Sequence, residues 1–356
     1  MVIKHLVFSG GGQYGLSGYS AIEYLKHKEY IKTENIESIY ATSVGTVIAL
    51  IFCLNIDKDI MCRYLIHRHW SADFVLNSDS FTNIILKKGL YEMNCFDNFF
   101  KPLFAIKDID MNITMKDFHF KFNIYLEFNT ICVNNFKIIK LNHKTYPDLP
   151  ILQAVKMSCS IPFIFTPVFY NKKYFIDGGI LINYPLEDCI QNNKCDESEV
   201  FGIFLLLNKK GEDKDEDKNM DEDKDEDKEE DKEDEEEDKE DEEEDKHEDK
   251  DEDKDEDKDE DKDEDKDEDK DEDKKDEDKD DINENMNILG YVQLFFSKIF
   301  DLIDTSKKQI KIKNELNILS NPMNLETIKQ FISNKELREQ LINNGEKQAK
   351  QFLENK

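Results

Sequence analysis

The sequence predicts a layered α/β domain, and three observations support this fold class. A short apolar stretch at residues 3–8 runs into a glycine-rich loop and then into a helical pattern. The same order of strand, tight turn and helix repeats at residues 38–54. A continuous apolar run at residues 200–207 has the composition of a strand buried on both faces. Such alternation of strands and helices is typical of a sheet covered by helices.

The remaining elements follow from the spacing of apolar residues and turn signals. The first two helices are predicted at residues 16–28 and 44–54, and residues 57–118 are predicted to be mainly helical with turns. After them the pattern predicts strands at 121–128 and 136–141 joined by Asn134-Asn135, a helix at 152–159, and strands at 168–170 and 174–176.

A long acidic repeat interrupts the chain. Residues 212–281 contain 51 Asp and Glu and 16 Lys, a net charge of -35, whereas the whole protein carries -32. The rest of the chain is therefore nearly neutral and apolar enough to bury a core. The repeat Asp-Glu-Asp-Lys places like charges four residues apart, which repel each other on a helix, so the repeat is predicted to be disordered.

These patterns divide the chain into three segments. Residues 1–208 are predicted to form the folded domain, residues 209–282 the disordered acidic segment, and residues 283–356 a helical segment that packs on the first. Within the last segment the pattern predicts a helix at 288–303 and two helices over 325–353, broken near Asn343-Asn344-Gly345.

Cysteine usage and the apolar runs indicate a cytoplasmic protein. The seven cysteines are odd in number and scattered, which is typical of reduced thiols. The N-terminal residues lack the pattern of a signal peptide. The longest apolar run, residues 44–54, is well short of the roughly 20 residues that a membrane-spanning helix needs. We therefore expect no transmembrane helix.

Ser43 has the surroundings of a nucleophile. It lies between a predicted strand and a predicted helix, with Ala41 two residues before it and Gly45 two residues after it. Small residues at these positions allow the sharp turn that exposes a catalytic serine, and the helix dipole favours negative charge beside it. Taken alone, the same residues could be a helix N-cap.

The loop Gly10-Gly11-Gly12 can bring backbone N–H groups close to a substrate, as an oxyanion hole requires. With Gly15 it also fits a dinucleotide-binding pattern. That alternative expects an acidic residue at the end of the second strand, whereas Glu37 lies at its start. A phosphate-binding P-loop does not fit, because no Gly-Lys-Ser/Thr follows.

The candidate base is Asp177, which ends a predicted strand and precedes Gly178-Gly179. None of the seven histidines lies in a catalytic motif, and in the order Ser, Asp, His only His247, inside the acidic repeat, would remain. A carboxylate that takes the serine proton directly needs no histidine.

In combination these motifs resemble the patatin-like phospholipase family. The resemblance covers residues 3–207 and includes, besides the glycine loop, the Ser43 turn and Asp177-Gly178-Gly179, four shorter motifs: Leu90-Tyr91, the sequence PDLP at 147–150, SCSIP at 158–162 and NYP at 183–185. It implies a three-layer α/β/α fold with a mostly parallel sheet, and hydrolysis of lipid acyl esters without a metal or other cofactor.

The resemblance also assigns roles to residues. Ser43 would be the nucleophile and Asp177 the proton acceptor of a dyad that works through an acyl-enzyme. Gly10, Gly11 and Gly12 would form the oxyanion hole. The supporting motif positions are Gly15, Ala41, Gly45, Gly178 and Gly179. The implied partner is a phospholipid or another acyl-ester lipid, reached by peripheral contact with a membrane, and no nucleic acid is implied.

Two departures from the family pattern leave alternatives open. Tyr14 stands where the family usually has Arg or Lys, and Ala41 where it usually has Gly. One alternative is a catalytically impaired lipid-binding or regulatory module of the same fold. Another is a scaffold whose important part is the acidic repeat.

Overall fold

The structure, a computed structural model, describes residues 2–75, 86–207, 310–321 and 324–356. The helices of these residues are α1 (Gly15–His27), α2 (Val44–Leu54), α3 (Lys58–His67), α4 (Asn94–Ile106), α5 (Met115–Phe122), α6 (Ile151–Cys159), α7 (Leu186–Asn193), α8 (Leu325–Ser333) and α9 (Lys335–Glu354). The strands are β1 (His5–Phe8), β2 (Ser38–Thr42), β3 (Gly89–Tyr91), β4 (Tyr125–Cys132), β5 (Lys137–Leu141), β6 (Phe163–Phe165), β7 (Val168–Tyr170), β8 (Lys173–Asp177), β9 (Val200–Leu207) and β10 (Glu315–Ser320).

The main sheet is mostly parallel. Its strand order is β10-β9-β1-β2-β4-β8-β7, with β5 also paired to β4. Strands β10, β9, β1, β2 and β4 run parallel to one another, whereas β5 and β8 run antiparallel to β4. The carboxyl ends of the parallel strands therefore meet at one edge of the sheet, here called the carboxyl edge. Strands β3 and β6 form a separate parallel pair.

Strands β2 and β8 end opposite neighbouring residues of β4. Thr42, the last residue of β2, pairs with Asn129, and Asp177, the last residue of β8, pairs with the next residue, Thr130. Strand β5 pairs with β4 across both of these positions, so it occupies the opposite side of β4. Strands β2 and β8 therefore lie on the same side of β4 and meet end to end, which brings Ser43 beside Asp177.

Helices cover both faces of the sheet. On β1, Leu6 and Phe8 point into the large core, while Val7 points to the other face. There it packs with Leu186 and Cys189 of α7. The central strands are buried on both faces, as a three-layer arrangement requires. The predicted fold class, α/β with a mostly parallel central sheet, is confirmed.

The C-terminal segment shares the core of the N-terminal domain. Strand β10 extends the sheet beside β9, although the sequence pattern predicted only helices in this segment. Helix α9 packs on α1, where the hydroxyls of Ser17 and Ser20 donate to the carbonyls of Leu341 (2.6 Å) and Ile342 (2.7 Å). These bonds join residues that lie on opposite sides of the acidic repeat.

The predicted helix break at Asn343-Asn344-Gly345 is wrong. Helix α9 continues through these residues, and the break falls at Asn334, whose side chain caps α9 by accepting from the Leu337 N–H (3.0 Å). Gly345 serves packing instead, because a Cβ there would lie 2.0 Å from the Ser17 carbonyl oxygen of α1. The glycine allows the close approach of α1 and α9.

Strands β3 and β6 and helix α7 were not predicted, and the other predicted elements differ from the observed ones only at their ends. Helix α5 extends to Phe122, so β4 begins at Tyr125, four residues later than predicted. The predicted helix at 288–303 and the acidic repeat lie outside the described residues. Among the described helices, none has both the length and the apolar character needed to cross a bilayer.

Candidate active site

Ser43 occupies a strained turn between β2 and α2. Its backbone has φ 54° and ψ -130°, a conformation that non-glycine residues rarely adopt and that is typical of a nucleophile elbow. Gly45 is required by space, since a Cβ there would lie 2.5 Å from the Phe8 carbonyl oxygen. Ala41 is fully buried, and its methyl group packs in the large core.

Ser158 fixes the turn against β4. Its hydroxyl accepts a hydrogen bond from the Ser43 N–H (2.9 Å) and donates to the Asn129 carbonyl (2.6 Å), and its side chain is fully buried. This chain of bonds connects the first residue after β2 to the strand that also pairs with β8. The sequence analysis gave Ser158 no role.

Asp177 is a buried carboxyl at the end of β8. Its Oδ1 accepts from the Gly179 N–H (2.7 Å), whereas Oδ2 is buried without a hydrogen bond of regular geometry to the described residues. Burial raises the pKa of Asp177 to about 7, while interactions with the Ser43 hydroxyl and the Gly179 N–H oppose this increase. Gly178 is needed because a Cβ there would lie 2.4 Å from the Asn129 carbonyl oxygen.

Among the described residues, no histidine takes part in the hydrogen bonding of Ser43 or Asp177. Six of the seven histidines lie in the described part of the chain, and none of these six bonds to Ser43 or Asp177. His5, for example, is hydrogen-bonded to the Ser38 hydroxyl (2.8 Å) near the start of β2. The described groups next to the Ser43 hydroxyl therefore include a carboxyl and no imidazole.

The glycine loop after β1 lies beside Ser43. A Cβ at Gly10 would come within 3.0 Å of the Ser43 Cβ. However, the Gly10 N–H already donates to Asn183, both to its backbone carbonyl (3.2 Å) and to its side-chain Oδ1 (3.1 Å). Asn183 thus holds the loop in place, a role that the sequence analysis did not assign.

The next two residues of the loop have free donors. In the part of the chain that the structure describes, the N–H groups of Gly11 and Gly12 donate to no acceptor. Gly12 has φ 56°, in the left-handed region that glycine adopts at little cost. Gly15 lies against α2, where a Cβ would clash with Val44 at 2.3 Å.

An apolar cavity of about 160 Å³ begins at Ser43. Its walls come from α2 on one side and from aromatic residues such as Trp70 and Phe99 on another. Helix α8 contributes Ile328, Phe331 and Ile332, and the Phe331 ring packs edge-on against Trp70 at 4.9 Å. The C-terminal segment therefore completes a cavity that the N-terminal domain alone would leave open.

Within the described ranges, no group of three or more His, Cys, Asp and Glu side chains is arranged to hold a metal ion. All seven cysteines are free, and burial raises the pKa of Cys53 to about 12.

Comparison with known proteins identifies the family of this chain. The model of the patatin-like phospholipase family matches residues 6–190, a range that includes the glycine loop, Ser43 and Asp177. The chain belongs to the patatin-like phospholipase family.

Two relatives of this chain come from viruses. "Probable lipid hydrolase 463L" of Invertebrate iridescent virus 6 is 31% identical over 198 residues, covering 53% of this chain and 63% of that protein. "Uncharacterized protein R571" of Acanthamoeba polyphaga mimivirus is 28% identical over 190 residues, covering 52% and 60%. The matched region thus spans less than two thirds of either relative.

Among solved structures, VipD from Legionella pneumophila is similar to 58% of this chain and 50% of its own, with 18% identity and a TM-score of 0.36.

Proposed function

We propose that this protein is a lipid acyl hydrolase with a Ser43/Asp177 dyad. The observation that carries the proposal is the arrangement at the carboxyl edge, where a serine on a strained elbow lines an apolar cavity and stands beside a buried carboxyl. Membership in the patatin-like phospholipase family and the similarity to a probable lipid hydrolase support it.

The reaction proceeds in two steps. The Ser43 Oγ attacks the ester carbonyl carbon while the Asp177 carboxylate takes the hydroxyl proton, and the tetrahedral intermediate then expels the alcohol, which receives that proton. Water next attacks the acyl-enzyme, again giving a proton to Asp177, and the proton returns to Ser43 as the fatty acid leaves. A pKa of about 7 leaves a substantial fraction of Asp177 ionised at neutral pH, as a general base requires.

The oxyanion of both intermediates would be bound by the Gly11 and Gly12 N–H groups. Gly10 is excluded as a donor because its N–H is bonded to Asn183. The role of Gly10 is instead to let the loop pass close to Ser43. The start of α2 adds the positive end of its dipole beside the same position.

The cavity indicates the substrate class. Its lining is almost entirely aliphatic and aromatic, so it fits a fatty acyl chain and excludes a polar or charged acid group. We therefore propose acyl-ester lipids, with phospholipids among them, as substrates.

Hydrolysis of a soluble short acyl ester and of a long-chain lipid ester tests the proposal. Ser43→Ala and Asp177→Asn should each lower kcat/KM at least about 10³-fold, and the double variant should be no worse, because both residues act as one unit. Ser333→Ala, at an exposed serine of α8, is the matched control and should retain full activity. Turnover by Ser43→Ala at the wild-type rate would refute the mechanism.

A further inference from the structure

Two hairpins extend past the nucleophile elbow at the carboxyl edge. Strand β4 continues to Cys132, three residues beyond Asn129, which pairs with the end of β2. At about 3.3 Å per residue, β4 reaches about 10 Å past the elbow before it turns into β5. The β7–β8 hairpin turns back at the same level, because Phe175 of β8 pairs with Cys132.

The tips of both hairpins expose large apolar side chains. Val133 and Phe136 in the β4–β5 turn are 42% and 55% exposed, and Phe169 of β7 is 59% exposed. Tyr174 joins the two tips, since its carbonyl accepts from the Val133 N–H (2.9 Å) and its ring lies 4.9 Å from that of Phe169. These apolar groups therefore form one surface rather than scattered single residues.

Near their turns, the two hairpins carry lysines and no acidic residue. Lys137, Lys172 and Lys173 are exposed at the hairpin tips, and the Lys88 ammonium group lies 5.2 Å from the centre of the Tyr174 ring. Residues 128–141 and 163–176 contain no Asp or Glu. Exposed apolar side chains surrounded by lysines are the chemistry that binds a membrane with anionic lipids.

We propose that this hairpin surface (Val133, Phe136, Phe169 and Lys88, Lys137, Lys172, Lys173) docks the protein on an anionic lipid bilayer. The inference rests on the proposed function, because it explains how a lipid reaches Ser43. The apolar tips enter the interface while the lysines contact anionic headgroups. With the carboxyl edge facing the bilayer, a lipid leaving the membrane meets the elbow on the same edge. The lysines favour an anionic lipid surface over the same surface of a second copy, whose lysines would repel them.

Vesicle binding and hydrolysis with the full-length protein test the proposal. Binding is measured by sedimentation with phosphatidylcholine vesicles, with and without phosphatidylserine, in a Ser43→Ala background so that the lipid is not consumed. The apolar variant is Phe136→Ser with Phe169→Ser, and the charge variant is Lys172→Gln with Lys173→Gln. The matched controls lie on α5, which immediately precedes β4 and therefore lies at the edge of the sheet opposite the carboxyl edge. The apolar control is Phe120→Ser, at a side chain that is 70% exposed, and the charge control is Lys116→Gln with Lys121→Gln.

The apolar variant should weaken binding to both vesicle types by about tenfold or more, from the loss of two aromatic rings from the interface. The charge variant should weaken binding about tenfold on the anionic vesicles only, with the difference decreasing as salt is added. Without the Ser43→Ala background, both variants should hydrolyse a soluble short acyl ester at the wild-type rate and vesicle lipid more slowly. The control variants should bind both vesicle types as tightly as the wild type.

Equal binding by wild type, hairpin variants and controls would overturn this surface and leave the hydrolase proposal intact. An altered oligomeric state of the apolar variant with unchanged vesicle binding would point to a second copy as the occupant and would also overturn it. Absence of soluble-ester hydrolysis by the wild type would refute the proposed function, while a binding loss confined to the hairpin variants would still support the docking surface.

Discussion

Replacing Asp177 by Asn should increase the stability of the protein at neutral pH while it abolishes activity. Burial raises the pKa of Asp177 to about 7 in the folded state, whereas an unfolded chain titrates near 3.9. Between these values the unfolded state is ionised and the folded state keeps its proton, so stability is fully present below about pH 4 and decreases as pH rises toward 7. An asparagine side chain does not ionise, so the variant does not lose stability in this way as pH rises.

The size of the effect follows from the shift. About three pKa units at 1.36 kcal/mol each correspond to about 4 kcal/mol of lost stability at pH 8, as an upper figure. The Asn Oδ1 can still accept from the Gly179 N–H, so the hydrogen bond that holds this side chain is retained.

Urea unfolding of both proteins at several pH values measures this difference. The free energy of unfolding of Asp177→Asn relative to wild type should rise by a few kcal/mol, up to about 4, between pH 4 and pH 8. Ester hydrolysis by the wild type provides a second readout, because kcat/KM should increase with an apparent pKa near 7 as the base ionises. A difference in stability that stays constant over this range would refute a raised pKa at Asp177.

Three further predictions concern the support of the site, the acyl cavity and the acidic repeat. Ser158→Ala should lower the free energy of unfolding by about 1 to 3 kcal/mol and reduce kcat, because it removes the side-chain acceptor of the Ser43 N–H and a donor to the Asn129 carbonyl at a buried position. Denaturant unfolding together with ester kinetics checks this, and wild-type values for both would contradict it. Ile328→Trp should fill part of the cavity from the α8 side. The kcat/KM for long acyl esters should then fall on the order of tenfold relative to that for short acyl esters. An unchanged chain-length preference would show that α8 does not line the acyl site. Strand β9 is parallel to β1 and ends at the carboxyl edge, and the acidic repeat follows it five residues later in the sequence. Deletion of residues 212–281, which carry a net charge of -35, should therefore speed hydrolysis of anionic vesicles at low salt, with the rates of the two proteins converging as salt rises. Identical rates throughout would leave a spacer role.

The sequence predicted those elements whose signal is local. Helix α2 and strand β9 are continuous apolar runs bounded by turn residues, and their predicted bounds agree with the structure. Strand β10 was missed because it is short and its alternating burial does not show as alternating polarity, since Leu319 is exposed and Ser320 is buried. Gly345 was misread as a helix break, since nothing nearby in the sequence shows that α1 packs against it.

The sequence brought out the candidate reactive residues of the site and not the residues that hold them in place. Ser43 and Asp177 stand in short motifs with recognisable turn chemistry, which is why a single sequence is enough to propose them as candidates. Ser158 and Asn183 act through bonds to Ser43 and Gly10 that span more than 100 residues, and these depend on the register of β4 and on the path of the chain after β8. Apolar periodicity carries no information about such partners.

Reaction with a fluorophosphonate probe tests the central claim, an activated serine at position 43, most directly. Mass spectrometry of the labelled protein should find one adduct, on Ser43, that forms faster as pH rises through about 7, the pKa of Asp177. Ser43→Ala should remain unlabelled, and Asp177→Asn should label far more slowly while staying folded. Absence of an adduct on Ser43 in the folded wild type, or equal labelling of the Asp177→Asn variant, would contradict the account.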